Sequence, residues 1–111
     1  MDFEFTQEHD ELRQTVKRFL DNDSTEQKVR GLMATDDGFD REVWAKMAAQ
    51  MGLQGLIVPE EHGGAGMGFV ELAVVLEEMG AALLCAPYLS TAVLATTALV
   101  ESGDGAACAA L

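Results

Sequence analysis

The stretch from Gly52 to Gly80, GLQGLIVPEEHGGAGMGFVELAVVLEEMG, restricts what this chain can fold into more than any other part of it. An apolar run, Leu53 to Val58, meets Pro59, which fixes its own φ, lacks an N–H and biases Val58 towards extended backbone. The chain has to turn there. Four glycines within six positions, Gly63, Gly64, Gly66 and Gly68, permit positive φ and close backbone approach, and a helical apolar period begins directly afterwards at Phe69. Loop and helix therefore form one unit that joins two helical halves.

The flanks read as helices throughout. Thr6 is a good N-cap behind Phe3 and Phe5, Glu8 and Asp10 complement the dipole of a helix starting near Gln7, and Leu12, Val16, Phe19 and Leu20 recur at helical spacing until Asp21 to Ser24. Ser24 or Thr25 caps a shorter helix with Val29, Leu32 and Met33. Asp40 caps a third, on which Val43, Trp44, Met47 and Met51 share a core face and Gly52 supplies the stop. Beyond the loop, Phe69, Leu72, Ala73, Leu76 and Met79 mark the buried face of a fourth helix that Gly80 can end, with Val74 and Val75 widening it. Glu71, Glu77 and Glu78 then face solvent or a cationic partner. After Pro87, Ser90 or Thr91 can cap a fifth helix through Val93, Leu94, Thr97, Leu99 and Val100, ending before Gly103. No strand finds a partner. The expected fold is all-α, an irregular bundle of about five to six helices with a glycine-rich connecting loop.

Length and charge narrow the function. The 111 residues, 49% of them hydrophobic, suit one domain with a core of its own. A formal net charge of -12, with all seven Lys and Arg between Arg13 and Lys46, disfavours nucleic acid and anionic membrane. Cys85 and Cys108 are too few for a disulfide framework, and the acidic opening MDFEFTQEHDE is no export signal, so a cytoplasmic protein is expected. Ala81 to Val100 is uncharged and about long enough to span a bilayer, but Pro87 and Tyr88 interrupt it and no cation flanks it, which favours a buried helix.

The chemical motifs are weak. A dinucleotide fingerprint would need glycine where Phe69 stands, no Lys follows for a triphosphate loop, and Glu60 and Glu61 would repel an anion, so the glycines are read as a structural turn. Glu77 and Glu78 are adjacent, about 100° apart on a helix, and do not form a facing carboxylate pair. His9 and His62 have no triad or metal partners nearby and are read as surface residues. Neither catalytic nor metal-ligating residues are therefore assigned. One set merits a ligand role: Tyr88, Ser90, Thr91 and Leu94, mixed polar and apolar residues at a helix entrance, for which capping and packing is an equal alternative.

Gly52-Leu53, Gly55-Leu56, Val58-Pro59-Glu60-Glu61, Gly63-Gly64, Gly66, Glu71-Leu72-Ala73 and Leu76-Glu77-Glu78-Met79-Gly80 follow one another in an order that resembles the N-terminal helical domain of flavin-dependent acyl-CoA dehydrogenases. The resemblance extends to residues 3–8, to the Trp44 helix and to the stretch after Pro87. It implies a parent enzyme that desaturates an acyl-CoA thioester at its α,β bond with FAD as hydride acceptor and electron-transfer flavoprotein as partner, in a homo- or hetero-oligomer. It also implies that Tyr88, Ser90, Thr91 and Leu94 line the end of the acyl cavity. On this reading the chain is the first third of such an enzyme, without the flavin-binding β-barrel domain and the C-terminal helical domain with its catalytic Glu, and is inactive alone. Ala106 to Leu111 opens another apolar segment that stops as if cut inside a larger protein. The competing expectation is a freestanding helical interaction module or non-catalytic partner subunit.

Overall fold

A computed structural model of the chain describes residues 7–110. The expected Thr6 cap and the aromatic Phe3 and Phe5 lie outside the described residues. Among those described there is no strand: α1 (Gln7–Asp23), α2 (Glu26–Met33), α3 (Arg41–Lys46), α4 (Phe69–Ala81), α5 (Thr96–Ser102) and α6 (Gly105–Ala110) carry the fold, with π-helical segments at Met47–Met51 and Leu89–Ala95. The all-α expectation holds, and so does the number of helices. No helix is long and apolar enough to cross a membrane, because the uncharged stretch after Ala81 is broken before Leu89.

The chain divides into two compact units, each assembled from two separate segments. The first takes the chain up to Asp40 together with Phe69–Cys85. Here α1 packs on α4, burying Val16 and Leu20 of one helix and Leu72, Val74, Val75 and Met79 of the other. Each such side chain contributes roughly 1.5–3 kcal/mol when fully buried. The face of α4 is turned relative to the periodic reading: Val75 is fully buried, Phe69 is 68% exposed and Ala73 is exposed as well. An almost wholly apolar helix offers several possible faces, and charge decides between them. Arg13 on α1 sends Nη1 to Glu77 and Glu78 at 2.9 Å each, and His9 Nε2 lies 3.5 Å from Glu71. Those contacts fix the side of α4 that meets α1, and the hydrogen bonds to Glu78 and Glu77 hold the Arg13 guanidinium pKa above its ordinary value. His9 is consequently half-buried, contrary to its expected surface position.

Capping in this unit is partly as expected. Thr25 accepts a hydrogen bond from the Lys28 N–H and caps α2, whereas Ser24 is buried and donates its hydroxyl to the Ala82 carbonyl. Gly80 does not end α4. The stop comes at Leu83, which holds φ 52, with Leu83 N–H bonded to Gly80 O and Leu84 N–H to Met79 O. That paired bonding satisfies the last carbonyls and is usually built around glycine.

The second unit joins Arg41–Gly68 to the residues after Cys85. Val43 and Met47 are buried while Trp44 and Met51 are only half so, a narrower core stripe than expected, because the helix widens to a π turn at Met47. Gly52 at φ 59 closes it. Leu53–Gly55 and Glu60–His62 are single 3₁₀ turns on either side of Pro59, so the apolar run before the proline coils instead of extending.

Candidate functional site

Two features of the second unit bear on function, the helix after Pro87 and the glycine loop. Tyr88 opens the π-helical segment. Its ring is 3% exposed, and its hydroxyl donates to the Leu53 carbonyl at 2.7 Å, which ties this segment to the 3₁₀ turn ahead of the loop. Burial raises the phenol pKa to about 12. The unfolded phenol ionises near 10, so stability is intact below that pH and is lost as pH rises from about 10 to 12. Tyr88→Phe is expected to remove that alkaline loss and to cost about 1 kcal/mol at neutral pH, because the Leu53 carbonyl loses its donor. Urea midpoints of both proteins at pH 7 and pH 11 check this, and an unchanged alkaline loss in the variant would assign it to another group.

Ser90 and Thr91 do not cap. Both lie inside the helix and turn their hydroxyls back to the Pro87 carbonyl, the i−3 and i−4 bonding that competes with capping once a helix has already started at Leu89. Leu94 is 60% exposed, and Leu89, absent from the expected set, is 57% exposed. Of the four expected ligand residues, the structure thus puts Tyr88 in the interior, engages the donors of Ser90 and Thr91 with their own backbone, and leaves Leu94 open. Leu89 was hidden because it stands directly beside Tyr88, where an α-helical reading gives it no shared face with Leu94.

The glycine loop is closed on itself. The N–H groups of Gly63, Gly64, Ala65, Gly66 and Met67 donate to the carbonyls of Glu60, Pro59, Gly55, Val58 and Leu56 at 2.9–3.2 Å. No donor of that run is left to hold a phosphate, and Glu60 and Glu61 add negative charge beside it. The turn reading is the one these bonds support, and the loop does not fit the pyrophosphate of a flavin dinucleotide. His62 is half-buried in this loop, 3.8 Å from Glu61, and borders a cavity of about 280 Å³ shared with Gln54, Thr96 and Cys108. Among the described residues no group of three or more His, Cys, Asp or Glu could hold a metal ion.

Comparison with known proteins is consistent with this arrangement of loop and helices. The family model for the acyl-CoA dehydrogenase N-terminal domain matches residues 6–108. Acyl-CoA dehydrogenase IpdE2 of Mycolicibacterium smegmatis is 39% identical over 88% of this chain and 31% of its own length. Among solved structures, the ChsE4-ChsE5 complex from Mycobacterium tuberculosis is similar with a TM-score of 0.79 and 36% identity, covering 91% of this chain and 28% of that one. The Tcur3481-Tcur3483 steroid ACAD is similar with a TM-score of 0.67 and 32% identity, covering 74% of this chain and 22% of that one. The chain spans about a third of the length of the curated relatives it matches. It belongs to the acyl-CoA dehydrogenase family, as an N-terminal domain of that family.

Proposed function

We propose that this chain serves as the helical N-terminal third of a flavin-dependent acyl-CoA dehydrogenase, where it supplies an apolar wall of the acyl cavity and a packing base for the flavin-binding and base-carrying domains. The observation that carries the reading is the exposure of Leu94 and Leu89 on a segment held in place by buried Tyr88. A rigid apolar wall with its nearby hydroxyls engaged accepts hydrocarbon and offers nothing to water, which suits the tail of a thioester substrate. Ser90 and Thr91 stand beside that wall, and Tyr88 supports it from behind.

FAD, when bound, accepts the hydride, and electron-transfer flavoprotein is the electron acceptor that the family implies. The glycine loop has no free donors for the cofactor, so flavin contacts fall to other parts of the enzyme. The family match across residues 6–108 favours an enzyme domain over a freestanding interaction module. The likeness to one chain of a two-protein complex supports a multi-chain assembly.

In the flavin-loaded enzyme, Leu94→Trp is expected to shift the preferred acyl group towards shorter or slimmer chains by roughly 1–3 kcal/mol in kcat/KM, with flavin absorbance unchanged. A series of acyl-CoA lengths, including a steroid-ring thioester, makes the comparison. Equal loss on every substrate would mean damage to packing and would overturn the wall. Flavin bound by residues 1–111 alone would overturn the division of labour.

A further inference from the structure

We infer that the π register of Leu89–Ala95 builds a two-leucine stripe, Leu89 beside Leu94, that discriminates unsubstituted hydrocarbon from hydroxylated acyl groups; the inference rests on the acyl-wall reading above. In an α-helix, residues five apart point about 140° away from one another. A π-helix bonds each carbonyl to the N–H five residues on, which brings such residues alongside. Thr96 shows that register directly, because its N–H and its hydroxyl both reach the carbonyl of Thr91, the hydroxyl at 2.9 Å. Leu89 and Leu94 are separated by the same five positions within the same segment.

Their surroundings give the stripe its chemistry. Tyr88 and Ala92 fill the inward side of the segment, each 3% exposed, so the leucines are left outward at 57% and 60% exposure. The hydroxyls of Ser90 and Thr91, the polar groups nearest the stripe, already donate to Pro87 O. A hydroxyl on a ligand pressed against the leucines would give up water without gaining a donor in return, whereas a methylene or an apolar ring would not.

The test is a double-mutant cycle in the flavin-loaded enzyme: Leu89→Ala, Leu94→Ala and both together. Each is assayed as kcat/KM on a saturated straight-chain acyl-CoA and on its ω-hydroxy counterpart, with flavin absorbance and circular dichroism recorded on the same samples. Each single variant is expected to lower the preference for the unsubstituted chain by about tenfold. The double variant should lose less than the product of the two, since neighbours on one stripe do not act independently. Two effects that multiply would overturn the pairing while leaving the acyl wall intact. No change of preference in either single variant would overturn the wall, and the pairing with it. Leu89→Gln and Leu94→Gln keep side-chain bulk and should move the preference towards the hydroxylated substrate; an unchanged preference in both would likewise overturn the stripe.

Discussion

Gly64→Ala is expected to destabilise the domain by roughly 3–4 kcal/mol, the combined cost of overpacking and of a lost backbone hydrogen bond. A Cβ at this position would lie 2.2 Å from the Val58 carbonyl oxygen and 2.4 Å from the Val58 Cβ. Neither neighbour can move aside cheaply. The Val58 oxygen is held by the Gly66 N–H at 2.9 Å, and Val58 is followed by a proline of fixed φ. Relief therefore requires opening the loop. Gly63→Ala is the useful contrast, because its added Cβ meets nothing within 4 Å and its cost comes from φ 86 alone, about 1 kcal/mol. Urea unfolding followed by circular dichroism compares the two, and equal losses would show that the close approach at Gly64 is not what fixes the loop.

The other large effect is expected on α4. Val75→Asn should cost about 3–5 kcal/mol, since it removes apolar bulk at a fully buried position and leaves an amide without a partner. Phe69→Asn, at 68% exposure, should change the isolated chain by no more than about 0.5 kcal/mol. The pair distinguishes the observed face from the one read by periodicity, which placed Phe69 inward. Matching losses from the two substitutions would restore the periodic reading.

That reversal shows where the sequence was legible and where it was not. Helix stops that depend on one backbone conformation were readable: Gly52 and Gly103 both sit in the left-handed region at helix ends, at φ 59 and φ 72. So was the closed turn around Pro59, since proline and adjacent glycines limit the backbone whatever surrounds them. The orientation of α4 was not readable, because Leu72, Val74, Val75, Leu76 and Met79 are almost equally apolar. Only the position of Arg13, about sixty residues earlier, separates them. Leu83 as the stop was equally hidden, since its φ is imposed by bonds to Met79 and Gly80 and not by its own preference. At the candidate site the entry after Pro87 was legible. The π register was not, as no single residue type announces an i→i+5 bond, and with it went Leu89.

The pairing of α1 with α4 has a consequence during synthesis. Between Asp23 and Phe69 the ribosome must add α2 and a large part of the second unit before the partner of α1 begins to emerge. At ordinary elongation rates the completed α4 follows α1 by roughly 3–12 s, long compared with the microsecond folding of a helix. Throughout that interval Val16, Phe19 and Leu20 have no native cover. The acidic first turn of α1, with Glu8 and Asp10, and the cations Arg13, Lys17 and Arg18 along it keep the waiting helix hydrated, and Arg13 is already in place when its two glutamates arrive. The same charges that orient α4 in the finished domain thus also protect the nascent chain from premature association.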